Sequence, residues 1–105
     1  MNRVVWTSQA ISDVEAIREY IARASIRYAD VVVAEIVRAA GRLDEFPLSG
    51  RTVPERSASG LRELLSGNYR IVYRVAGECI EVVTVFHGAR TTRIPWEVRE
   101  RRRAS

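Results

Sequence analysis

Apolar positions along this chain change period twice. "RVVWT", Arg3 to Thr7, is short, β-branched and aromatic, the content of a first strand. Beyond it Val14, Ile17, Ile21 and Ala24 recur at helical spacing, with Asp13, Glu15 and Glu19 in the early turns, where carboxylates suit the helix dipole. Ser8 is the expected N-cap of this helix. After a break near "SIRY", the residues Ala29, Val32, Val33, Ile36, Ala39, Ala40 and Leu43 form a wider apolar stripe, so a second helix pairs with the first as an αα-hairpin. Pro47, Gly50 and Pro54 then end helical structure and leave "FPLSGRTVPERSASG" as a polar loop of the length that often carries function.

From Gly60 the period becomes two. "LRELLS", "NYRIVYRV" and "CIEVVTVFH" read as three strands, the last two joined by a tight turn at "AGE", and short connections make them an antiparallel meander. The fold class is α+β: an N-terminal strand and an αα-hairpin packed on a small twisted antiparallel sheet. Residues 1–98 form one domain on this reading, and residues 99–105, "RERRRAS", a basic tail that reads as solvated rather than as a specific phosphate contact.

Strand alternation puts Tyr69, Ile71, Tyr73 and Val75 on one face of "NYRIVYRV", and Arg70, Val72 and Arg74 on the other. The helices are expected over the tyrosine face, because covering the other would bury Arg70 and Arg74 unpaired at prohibitive desolvation cost. The two arginines, with α-carbons about 13 Å apart, then either flank a ligand or keep an exposed sheet face wet.

Composition narrows the classes without naming one. A chain of 105 residues suits one domain, and 47% hydrophobic with 29% charged residues is globular composition. No apolar run approaches the roughly 18 residues of a membrane span, and no signal-peptide pattern opens the chain, so a cytoplasmic protein is expected. All 17 basic residues are arginine. Residues 1–50 hold six arginines against seven acids and residues 51–105 hold eleven against six, which places a net charge of +5 on the second half and points to an anionic partner there. The lone Cys79 gives neither a disulfide nor a metal pattern and reads as a buried thiol in a strand. No cofactor or metal motif is present.

Antiparallel pairing brings Arg70, at the start of its strand, beside His87, at the end of the next, with Gly88 turning Arg90 into the same neighbourhood. Guanidinium groups suit phosphate but do not serve as bases. RNA cleavage by 2′-hydroxyl attack needs a proton acceptor and a donor, and only His87, Glu63, Glu55 or a tyrosine could supply them. As a lone histidine, His87 reads first as a structural hydrogen-bonding residue.

In order, "SDVEAIREYIA", "PLSGRTVPE", "LRELLSGNYRIVYRV" and "VFHGAR" resemble the RelE/ParE superfamily of toxins from bacterial type II toxin–antitoxin modules, over nearly the whole chain. The resemblance implies a growth-arresting toxin in a hetero-oligomeric complex with a cognate antitoxin, with no membrane partner. It implies one of two targets: DNA gyrase, inhibited without nuclease chemistry, or the ribosome, where mRNA is cut. The gyrase-directed branch is favoured, because the proton-transfer residues of the nucleases are poorly matched. For a nuclease, Arg70 and Arg90 match phosphate-stabilising arginines and His87 or Glu63 would handle protons. Trp96 stands where some of those nucleases place a tyrosine, and an indole can only stack or donate. The target-binding set expected from the resemblance is Arg62, Arg70, Arg90, Arg93 and Trp96.

Overall fold

The structure, a computed structural model, describes residues 2–54 and 60–88. The elements run β1 (Arg3–Trp6), α1 (Ser8–Ala22), α2 (Ile26–Gly41), a single 3₁₀ turn (Arg42–Asp44), β2 (Arg51–Thr52), β3 (Arg62–Ser66), β4 (Tyr69–Ala76) and β5 (Cys79–His87). They make a five-stranded sheet in the order β1-β5-β4-β3-β2 with the helix pair on one face, the α+β fold expected. The β2–β3, β3–β4 and β4–β5 pairs are antiparallel; β1 lies parallel to β5, with Arg3 opposite Cys79 and Trp6 opposite Val82.

Thr7, not Ser8, caps α1. The backbone at Thr7 is still extended as it leaves β1, which lets Oγ1 accept from the Ala10 N–H at 3.0 Å. The same hydroxyl donates to the Val83 carbonyl at 3.0 Å, so the cap also fixes the helix to the sheet. Ser25 caps α2 in the same way. Beyond Trp6 the outer edge of β5 has lost its parallel neighbour, and Asp13 of α1 takes over. Its Oδ2 accepts from the Thr84 hydroxyl at 2.5 Å and from the Val85 N–H at 3.1 Å. An early-turn carboxylate thereby finishes a strand edge.

The main core lies between the helices and the sheet, where Ala10, Val32, Ile36, Ala39 and Ala40 meet Ile71, Val82 and Val85. Tyr69 and Ile71 face the helices as expected, and Tyr73 packs with Leu43 and Ile80 below the 3₁₀ turn. Val75, nearer the hairpin tip, is 37% exposed rather than covered. A bulge keeps this pattern in phase: Val72 pairs with Thr84 but Tyr73 with Val82, so Val83 is an extra residue on β5. Val82 and Val85 can therefore both face the helices while Val83 joins the opposite side.

That opposite side is not wet. The expected polar loop forms the two-residue strand β2 against β3, Val53 continues the pairing at Leu61, and both residues are buried with Val72 and Val83 against Phe86. The central strands are thus covered on both faces. Cys79, expected buried, is half-buried at the start of β5. No described helix is long and apolar enough to cross a membrane. The boundary proposed at residue 98 and the tail lie outside the described residues.

Candidate functional site

The hairpin "LSGNYR" turns on Gly67 and Asn68, which sets Ser66 opposite Tyr69 and Leu65 opposite Arg70. On the other side Tyr69 pairs with His87 and Arg70 with Phe86, so the start of β4 and the end of β5 lie together, as the antiparallel reading required. The Gly88 N–H closes this end of the sheet on the Asn68 carbonyl at 2.7 Å. A side chain at Gly88 would press on that carbonyl at 3.2 Å and on Cγ of Arg70 at 3.4 Å, so glycine is what lets the chain pass Arg70 closely.

Arg70 is not on an open face. It is 6% exposed, with its guanidinium 5.2 Å over the Phe86 ring. The unpaired burial that argued against covering this face does not arise, because Glu63 lies beside it on the same face of β3. Arg70 Nε donates to Glu63 Oε1 at 2.7 Å, and Nη2 donates to the same oxygen. Glu63 Oε2 accepts from Arg51 Nε at 2.5 Å. The Glu63 side chain is wholly buried while that of Arg51 is 64% exposed, so the triad runs from the interior to the surface. A wholly buried carboxylate that already accepts from two guanidinium groups is poorly placed to take a substrate proton, which argues against Glu63 as a base.

Arg74 separates from Arg70 here too. It pairs with Glu81 across the β4–β5 ladder at 2.9 Å, both side chains about a quarter exposed. Arg62 turns to the opposite side of the sheet edge, donating to the Gly50 carbonyl at 2.8 Å and the Leu48 carbonyl at 3.5 Å. The Tyr73 hydroxyl completes this turn. It donates to the Pro47 carbonyl and accepts from the Gly50 N–H, each at 2.9 Å. Burial pushes the Tyr73 pKa above the ordinary 10.0, against the lowering effects of the Gly50 N–H and the Arg62 charge.

Two clefts meet at His87. One, of about 330 Å³, is lined by Arg51, Leu65, Gly67, Asn68, Arg70, His87 and Gly88. The other, of about 320 Å³ and more apolar, lies between α1 and the end of β5 and includes Asp13, Ile17, Tyr20, Tyr69 and Phe86. The His87 ring stands edge-on to Tyr69 with centroids 5.3 Å apart. Arg70 and His87 are therefore brought together; Arg90, Arg93, Trp96 and Glu55 lie outside the described residues. Sequence reasoning missed Arg51 and Asn68 as cleft residues and Glu63 as the partner of Arg70. The signal for Glu63 was present in the two-residue turn, whose register puts Glu63 diagonally next to Arg70 on one face. Among the described residues no group of three or more histidine, cysteine, aspartate or glutamate side chains could hold a metal ion.

A helix hairpin over a five-stranded, mostly antiparallel sheet is a small α+β fold, and here it carries an arginine-bearing cleft at the β4–β5 end. A family model for the ParE toxin of the type II toxin–antitoxin system parDE matches residues 4–92, and the chain belongs to this family. It is 37% identical over 91 residues to the toxin RelE2 of Caulobacter vibrioides, covering 86% of this chain and 99% of that one. It is 38% identical over 87 residues to the putative toxin Y4kP of Sinorhizobium fredii, covering 81% and 86%. Two solved structures share the fold at 24% identity. One is a chain of the chromosomal ParDE toxin–antitoxin system of P. aeruginosa, at a TM-score of 0.71 over 83% of this chain and 96% of that. The other is a chain of the RelBE2 toxin–antitoxin complex of Mycobacterium tuberculosis, at 0.61 over 82% and 96%. The protein is a type II toxin of the RelE/ParE superfamily.

Proposed function

We propose that this toxin arrests growth by inhibiting DNA gyrase, without cutting RNA, and that a cognate antitoxin neutralises it in a hetero-oligomeric complex. The observation that carries this reading is the sequestration of Arg70. A phosphate-stabilising arginine must present its N–H groups to the scissile group as charge develops. Here Nε and Nη2 are committed to Glu63, and the buried side chain lies against the Phe86 ring. The same contacts occupy Glu63, one of the candidate proton-transfer groups. Inhibition by binding asks only for a complementary surface, and the net +5 of residues 51–105 supplies positive charge for one.

One observation favours a second reading, a ribosome-dependent mRNA endonuclease: Arg51, Asn68 and His87 share the cleft at the point where the chain runs on toward Arg90. A single culture separates the two. On expression without antitoxin, gyrase inhibition predicts a DNA-damage response and intact transcripts, and purified toxin should block supercoiling by purified gyrase. Cuts within translated codons, with supercoiling untouched at excess toxin, would overturn the proposal.

A further inference from the structure

Among the described residues the β3 edge of the sheet is left unpaired beyond β2, with a cleft on each side. β2 pairs with β3 only at Arg62 and Glu63, and β3 runs on to Ser66. The Val53 N–H bonds outward-facing Leu61 O at 3.0 Å and Arg51 lies opposite Glu63, so the odd-numbered residues of β3 direct their backbone groups away from β4. Leu65 continues that series with no strand beside it among the described residues, and the residue is 64% exposed. Open edges are normally guarded by charge or proline; this one carries a leucine.

The clefts flank it. On the Arg70 face lies the cleft of about 330 Å³ with Arg51 at its rim. On the helix face a second, of about 290 Å³, is lined by Arg38, Ala39, Arg42, Ser66 and Gly67, with Glu35 its single acid. A strand added beside β3 would send alternate side chains into the two clefts, each rimmed by arginine. A second copy of the chain would bring arginines against arginines.

We propose that the Leu64–Ser66 edge of β3 receives an extended, acidic segment of a partner protein as a sixth strand, with carboxylates on both of its faces meeting Arg51 on one side and Arg38 and Arg42 on the other. This holds whichever target the toxin has.

The probe is a capped eight-residue peptide in which pairs of adjacent glutamates alternate with valines, tested by fluorescence polarisation and amide exchange on the full chain. Binding should protect the Leu65 amide and weaken with salt. N-methylation at the alternate positions facing β3 should cost about tenfold in affinity, the worth of a lost hydrogen bond or two, and methylation at the other positions far less. Leu65→Pro, which removes only an outward donor, should match the first result. Arg38→Glu with Arg42→Glu should also weaken binding about tenfold. Equal binding of a lysine-for-glutamate peptide, indifference to the methylation pattern, or no binding at millimolar peptide overturns the proposal. So does dimerisation of the chain alone that Leu65→Pro abolishes, which would assign the edge to a second copy.

Discussion

Replacing Arg70 by methionine removes its Nε and Nη2 donors from a wholly buried carboxylate and leaves Glu63 with Arg51, whose own side chain is mostly in water. Breaking one side of a buried pair costs about 3–5 kcal/mol. The surviving Arg51 bond sets the expectation at the low end, about 3 kcal/mol. Against a total stability of roughly 5–15 kcal/mol, that is large but survivable. With a urea m-value of roughly 1–2 kcal/mol per molar, the unfolding midpoint should fall by roughly 2 M. Glu63→Leu should cost a similar amount for the converse reason, since Arg70 then loses the acceptor of both bonds while still packed on Phe86. The double variant, Glu63→Leu with Arg70→Met, removes both charges from an apolar pocket beside Val72 and Phe86 and should recover most of the loss, because burying neither charge costs less than burying one. Equilibrium urea unfolding of the four proteins gives the coupling energy directly, expected at about 3 kcal/mol. Singles that add to the double would refute the claim that Glu63 and Arg70 act as one buried unit. The double variant also tests function: if Arg70 is architectural it should still arrest growth, and loss of arrest at restored stability would give Arg70 a chemical role.

Tyr73→Phe removes the hydroxyl that holds the Pro47–Gly50 turn and leaves the Gly50 N–H without its acceptor, at a cost of about 1–3 kcal/mol by denaturant unfolding. Because the pKa of Tyr73 is raised in the fold, its contribution is full below pH 10.0 and is lost as pH rises through the folded value; the phenylalanine variant should show a shallower alkaline fall in stability. Gly50→Ala would place a Cβ 2.6 Å from both the Glu63 carbonyl and the Tyr73 hydroxyl, and this overpacking should cost about 1–3 kcal/mol, with a smaller effect refuting the close approach. Asp13→Ala should cost about 1–3 kcal/mol and speed amide exchange at Val85, the N–H it now caps.

The helices and the three-strand meander were legible because their apolar periods are strong: the stripe from Ala29 to Leu43 is the buried face of α2 and the turn after it. The parallel placement of β1 was not, since four residues carry no register signal beyond composition. The cover on the second sheet face was misjudged for a reason visible in the chain. "CIEVVTVFH" is nearly continuous in apolar residues, the mark of a strand buried on both sides, and Val83 and Phe86 needed a partner that Val53 and Leu61 supply. Reading "FPLSGRTVPERSASG" as uniformly polar hid those two residues. The same oversight misplaced Arg70: once the face is covered, a buried arginine demands a carboxylate, and Glu63 is the diagonal neighbour that meets the demand.

The covering segment therefore controls more than its own packing. Its Arg51 completes the Glu63 triad, its Val53 N–H pairs with Leu61, and Val53 is wholly buried over the cluster that includes Val72, Val83 and Phe86. This cluster is separate from the one beneath the helices, so the segment is expected to open as a local unit with its own, lower free energy. Val53→Ala tests that. It should cost about 1–3 kcal/mol, and the loss should be concentrated in amide exchange at Val53 and along β2 and β3, with Ile71 and Val82 in the helix-side core changing only by the global shift. An equal acceleration throughout the sheet would mean that both faces open together. Confinement to the segment would mean that the burial of Arg70, and with it the distinction between a binding toxin and a nuclease-like site, rests on one short strand and two apolar residues.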